Sequence, residues 1–174
     1  MLYDDLKARL KGKILVVGVG NEQRGDDGYG PRMIQRLEGK VDVALLDVGE
    51  APENYLGRIS NQQAQTILVL DAANFGEEPG TAAILEVEDM DGATVSTHGI
   101  PLKVFFSLIR TESKSEIFCL SVQPLQFGQG SFLSASVESS VEILSETLIA
   151  VINEASHEKR GARSKRTHEF ICHS

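Results

Sequence analysis

Two adjacent carboxylates, Asp26 and Asp27, stand in the stretch "VGNEQRGDDGYGP" between Gly25 and Gly28. Like charges repel, and no lysine lies within two residues of either acid. A third carboxylate, Asp71, ends the apolar run "TILVLDA". A desolvated charge there is costly unless it is paired or ligated. An imidazole, His98, follows in "STHGIPL". Hard oxygens and one nitrogen, brought together, make a metal site, and the lack of a nearby thiolate disfavours structural zinc. Taken singly, each residue has a plainer reading. An aspartate after a strand is often a turn former or helix cap, and a histidine before a helix is often only hydrogen-bonded.

Whether the four residues meet depends on the elements that carry them. Residues 13–19 read as a strand and 29–38 as a helix, with Pro31 tolerated in its first turn. A second strand is expected over 41–48, a short helix over 52–59 and a third strand over 66–72. The third is continuously apolar, as a central parallel strand covered on both faces should be. A fourth strand is expected over 82–87, a helix over 101–109 and a fifth strand over 116–122. Val137, Val141, Leu144, Leu148 and Val151 mark the apolar stripe of a last helix, with Ser134 or Ser136 as its cap. The alternation predicts an α/β fold, a three-layer αβα sandwich around a mainly parallel twisted sheet of about five strands. Ligands of such sheets bind beyond the carboxyl ends of the strands, where strand order reverses. Asp26 and Asp27 follow strand one, Asp71 ends strand three, and His98 precedes a helix, so the fold carries them towards one end of the sheet.

A chain of 174 residues fits one domain with a real core. Its composition is globular, 41% hydrophobic and 24% charged, with no apolar run long enough for a membrane span. The start, "MLYDDLKARLKGK", has neither a basic nor an apolar signal region, so no secretory signal is expected. Cys119 and Cys172 form no pair motif, which suits a reduced, cytoplasmic setting. Residues 157–174 carry five Lys and Arg against two Glu, a tail of +3 that leaves −11 on the body within the total of −8. An acidic body repels phosphate backbones, so nucleic acid is not an expected partner. The domain is expected over 1–156 and a basic, disordered tail over 157–174.

The glycines do not make a nucleotide site. Gly18 and Gly20 begin a G-x-G, but Gln23 holds the place of the third glycine, and "GDDG" puts negative charge where a phosphate would lie. Gly128 and Gly130 in "QFGQG" read as a flexible connection. No serine or cysteine triad is visible either, since Cys119 lies inside an apolar strand without a neighbouring histidine.

The segment "GVGNEQRGDDGYGPRMIQRL" resembles the G-N-x-x-x-x-D-D/E-G-x-G signature of the hydrogenase maturation endopeptidases. The resemblance continues through "EAPENYLGRI", "VLDAANFGEEPG", "STHGIPL" and "SVQPLQFGQGSFLSASVESSV", in the family's order, over roughly residues 13–152. "APEN" and "STHGIPL" lean towards the formate-hydrogenlyase-type branch. Gln23 departs from the aliphatic residue usual in the family's loop, and Glu22 and Arg24 add charge there.

The resemblance implies an aspartic-type endopeptidase. Its substrate would be the nickel-loaded precursor of a nickel–iron hydrogenase large subunit, from which it removes a C-terminal peptide. Nickel, supplied by the precursor, would be the recognition element. Carried over by position, its ligands are Asp27, Asp71 and His98, with Asp27 and Asp71 also the catalytic candidates. Gly25, Asp26 and Gly28 form the supporting loop, Asp26 orienting it by hydrogen bonds. Two carboxylates and an imidazole suit nickel with open positions for substrate groups and water. The competing expectation is a maturation chaperone of the same fold that binds nickel or docks on a hydrogenase without cutting it.

Overall fold

Five strands form one sheet in the order β2-β1-β3-β5-β4. In this computed structural model the described residues are 1–86, 88 and 100–169, without the side chains of 158–169. The elements are α1 (Leu2–Arg9), β1 (Ile14–Val19), α2 (Tyr29–Leu37), β2 (Ala44–Gly49), α3 (Leu56–Asn61) and β3 (Thr66–Ala72). They continue with β4 (Ala82–Leu85), α4 (Leu102–Glu112), β5 (Glu116–Val122) and α5 (Ala135–Glu169). Short 3₁₀ turns at Gly25–Gly28 and Pro52–Tyr55 lead into α2 and α3.

β1, β2, β3 and β5 are parallel, and β4 runs antiparallel on the β5 edge. The expected αβα sandwich is therefore the fold. Side-chain parity splits its core cleanly. Val16, Leu68, Leu70, Phe118 and Leu120 pack with Leu6 of α1, Met33 of α2 and Val141 and Leu148 of α5. Val17, Val69 and Cys119, one residue away on the same strands, pack with Ile59 of α3 and Phe105 and Ile109 of α4. The two faces follow from handedness. β1 to β2 steps one way across the sheet and β2 to β3 steps back, so right-handed crossovers put α2 and α3 on opposite faces. Chain reversal beside β1 thus leaves a crevice between the carboxyl ends of β1 and β3.

Three local expectations change. The β2 ladder starts at Ala44 and ends at Gly49, later than the apolar run at Val41 suggested, because the residues before Ala44 find no partner on β1. Helix α1 was not anticipated. Leu2, Leu6 and Leu10 recur every fourth residue, and Leu6 and Leu10 are buried in the α5 face. Tyr3 and Lys7 reach Glu154 of α5 at 2.7 and 2.8 Å, tying the two helices together. The backbone of α5 continues helically to Glu169, into the stretch assigned to a disordered tail. Among the described residues no helix is long and apolar enough to cross a membrane.

The crevice floor depends on a missing side chain. Gly30, in the first turn of α2, lies against the backbone carbonyls of both Val19 and Leu70, and a Cβ there would overlap both. Neither carbonyl can move without disturbing the β1–β3 ladder. Gly30→Ala is expected to lower stability by roughly 3 kcal/mol in urea denaturation. Gly57→Ala in α3, where nothing lies within 4 Å of the added carbon, should be neutral or raise it by about 0.5 kcal/mol.

Candidate active site at the ends of β1 and β3

Asp26 and Asp27 are both fully buried in the 3₁₀ turn that follows β1. Successive residues of such a turn point about 120° apart. The two side chains accordingly serve different partners. The Asp26 carboxylate accepts four hydrogen bonds, all from the segment between β5 and α5. Leu125 N donates to Oδ2 at 2.8 Å, Gln126 N at 3.3 Å and Ser134 Oγ at 2.9 Å, and Ser134 N donates to Oδ1 at 2.6 Å. Three of the bonds fall on Oδ2 and one on Oδ1. Asp26 orients the loop, and its charge is spent on structure.

Asp27 faces back along the chain. Asn21 N donates to its Oδ2 at 3.1 Å and to its backbone carbonyl at 3.2 Å. The turn can fold this tightly because Gly20, at φ +138°, lies against the Asp27 carbonyl where any Cβ would collide. The G-x-G after β1 is thus used to press the acidic turn onto the strand ends.

Asp71 lies one residue before the end of β3 and is 1% exposed. Its β5 neighbour in register is Ser121, also buried. Parity continues the row of Ile67 and Val69, placing Asp71 on the α3–α4 face near Cys119. The Cys119 thiol is pushed well above its usual range, first by burial and then by the Asp71 charge. The Tyr29 phenol is likewise raised by burial, then by Cys119 and Asp71. Cys119 is therefore a protonated core residue, with its sulfur 3.2 Å from Ser121 Oγ, and no nucleophile.

The 3₁₀ turn packs on β3, so Asp27 and Asp71 stand on the two strand ends that border the crevice. His98, the third member of the expected ligand set, lies outside the described residues. Among the described residues no three His, Cys, Asp or Glu side chains group to hold a metal. The donor types present, two buried carboxylates at adjoining strand ends, fit a divalent cation that brings or finds further ligands.

Two supporting residues escaped the sequence reading. Gln123, just past β5, receives Phe75 N at 2.9 Å and Glu77 N at 3.3 Å on Oε1. Its Nε2 donates to Asn74 Oδ1 at 3.1 Å, so it fixes the loop after β3. Ser134, read as a helix cap, gives its hydroxyl to Asp26. The "QFGQG" segment is also no loose connection. Gly25 N donates to Gly130 O at 2.8 Å and Gly130 N to Gln23 O at 3.1 Å, a short parallel bridge to the acidic loop. The signal available was polarity itself: a glutamine immediately after a buried strand, flanked by Pro124, needs buried partners.

Removing the Asp26 carboxylate takes the acceptor from three part-buried backbone N–H groups and a hydroxyl at once. Asp26→Ala is expected to cost about 3 kcal/mol or more of unfolding free energy. Ser134→Ala, which removes one hydroxyl donor, should cost about 1 kcal/mol. Equal denaturation midpoints for Asp26→Ala and wild type would refute this account of the turn.

Comparison with known proteins agrees with this architecture. A family model described as hydrogenase maturation protease matches residues 31–151. A putative hydrogenase maturation protease of Methanocaldococcus jannaschii is 28% identical over 166 residues, covering 88% of this chain and 95% of its own. The hydrogenase 3 maturation protease of Escherichia coli K12 is 29% identical over 133 residues, covering 75% and 85%. The crystal structure of a nickel–iron hydrogenase maturation protease, HycI, from Thermococcus kodakarensis superposes with a TM-score of 0.78 at 32% identity, covering 87% of this chain and 98% of that one. With most of its length matched in sequence and in fold, the chain belongs to the hydrogenase maturation protease family.

Proposed function

We propose that this protein removes a C-terminal peptide from the nickel-loaded precursor of a nickel–iron hydrogenase large subunit. The observation that carries the reading is the placement of Asp27 and Asp71, both buried, at the strand ends where strand order reverses. Such a crevice is where this class of sheet binds ligands. Buried carboxylates are stabilised by cations, so a precursor bearing nickel is favoured over one without it. Asp27, Asp71 and His98 are the residues we assign to the metal. Bound nickel would supply Lewis acidity towards a carbonyl or water.

The protein's own part is recognition and proton handling. In the aspartic-type reading, Asp27 or Asp71 accepts the proton of the attacking water as the scissile carbonyl becomes tetrahedral. The same proton then passes to the leaving amine, and the peptide bond breaks. Asp26 takes no part in this step, because its carboxylate is engaged by hydrogen bonds from Leu125, Gln126 and Ser134. The buried thiol of Cys119 suits a reducing, cytoplasmic setting.

Wild-type protein should shorten the nickel-loaded precursor, read as a mass loss of one C-terminal peptide, and leave the nickel-free precursor uncut. Asp27→Asn should lower the cleavage rate by roughly a hundredfold to ten-thousandfold, with a denaturation curve close to wild type. Cleavage of nickel-free precursor at the same rate would remove nickel from the mechanism. Tight binding of loaded precursor by wild type without any mass change would identify a chaperone instead of a protease. Residues 157–174 lie beyond the matched stretch, and deleting them should leave the cleavage rate unchanged.

A further inference from the structure

Phe132 is 87% exposed and Leu125 is 58% exposed, whereas the rings of Phe105, Phe106 and Phe118 are wholly buried. Both exposed residues belong to the segment between β5 and α5. Exposure at the tip of a loose loop needs no explanation. This segment, however, is held firmly. Asp26 grips it at Leu125, Gln126 and Ser134, and Gly130 is paired to Gln23 and Gly25. Ordering a loop costs conformational entropy, and here that cost presents an aromatic ring to solvent.

A cleft of about 230 Å³ opens beside the ring, lined by Glu22, Gly28, Arg32, Phe132, Leu133 and Glu138 among others. Its charged walls are internally paired. Arg32 meets Glu138 at 3.6 Å, and Glu22 accepts from Gln35 at 2.8 Å. Phe132 and Leu133 remain as the apolar wall. Gly28, one of the lining residues, directly follows Asp27 in the 3₁₀ turn, so the cleft borders the turn that carries the acid assigned to chemistry. Its glycine leaves bare backbone at that point, and a Cβ would crowd Glu22 Cα at 3.0 Å and approach Leu133 Cδ2 at 3.6 Å.

We infer that the cleft seats the extended segment of the precursor next to its scissile bond, with an apolar side chain of that segment packed on Phe132 and Leu133. The inference rests on the proposed proteolytic function and names where its substrate is held. Phe132 is a docking residue and takes no part in proton transfer. Asp26 is a positioning residue, since it fixes the docking segment and the Asp27 turn to each other.

The test compares cleavage kinetics of nickel-loaded large-subunit precursor by wild type, Phe132→Ala, Phe132→Leu and Ile143→Ala. Ile143, on α5 and 62% exposed, is an equally apolar surface residue outside the cleft. Phe132→Ala is expected to raise KM roughly tenfold while kcat changes by less than about twofold. Phe132→Leu should recover most of the loss, and Ile143→Ala should match wild type. An unchanged KM for Phe132→Ala, or an equal rise for Ile143→Ala, overturns the proposal. Should wild type fail to cleave, the proteolytic reading falls and docking is still measurable. The chain contains no tryptophan, so Phe132→Trp gives a single fluorophore whose emission is read against wild type mixed with the same precursor. A blue shift on adding precursor supports docking at the cleft, and an unshifted spectrum overturns it.

Discussion

The Asp26 carboxylate, with its four hydrogen bonds to the segment between β5 and α5, is the interaction on which the rest of this site depends. A buried, unsatisfied carboxylate is unstable, and two in sequence would be worse. The 3₁₀ turn resolves the conflict by sending the neighbours in different directions. Asp26 is neutralised in effect by backbone N–H dipoles and a hydroxyl from across the molecule. Asp27 turns back towards Asn21 and the strand ends. One acid of the pair builds the loop, and the other is the one that the proposed function assigns to chemistry. Two of the four bonds come from Ser134, which immediately precedes α5, and so fix where that helix begins.

Sheet topology decides where that turn lies. Because β1 sits between β2 and β3, the chain must step out and back across it, and right-handed crossovers send α2 and α3 to opposite faces. The crevice between β1 and β3 is a consequence of that reversal. Close backbone approach then brings the acidic turn into it: Gly20 admits the Asp27 carbonyl, and Gly30 admits those of Val19 and Leu70. Asp71 reaches the same place by extending a parallel strand one residue beyond its apolar core. It shares the α3–α4 face with Cys119, whose thiol is pushed up first by burial and then by the Asp71 charge.

Much of this was legible from residues alone. β3 and β5 begin and end where their apolar runs do, since strands buried on both faces carry no competing pattern. Strand-end placement of Asp26, Asp27 and Asp71 follows from the alternation of elements, without knowledge of contacts. What was hidden was the partner of Asp26, about a hundred residues away and mostly backbone N–H, which no side-chain pattern encodes. "QFGQG" looked flexible because glycine was read as freedom. In the fold Gly130 pairs with the acidic loop and, at φ +143°, uses a conformation few other residues adopt. α1 was overlooked because two acids and two bases in eight residues obscured a leucine stripe of period four. His98 belongs to the legible pattern and lies outside the described residues.

Under the proposed function, the site's incompleteness is itself a discriminating device. Asp27 and Asp71 are carboxylates already removed from water, so the desolvation cost of gathering them was met during folding. A cation that arrives with its own ligands gains their charge without further reorganisation, the arrangement that electrostatic preorganisation requires. A free ion would need several additional donors to fill its coordination sphere, and two or three protein ligands do not provide them. On that reading the pocket would discriminate by what accompanies the metal. Selectivity for a loaded protein over both free metal and empty protein follows from two partial affinities, one for the cation and one for the polypeptide, joined through the turn that carries Asp26 and Asp27. Under that proposal each affinity alone would be weak, and their coupling would rest on Asp26, which ties the acidic turn to the segment between β5 and α5.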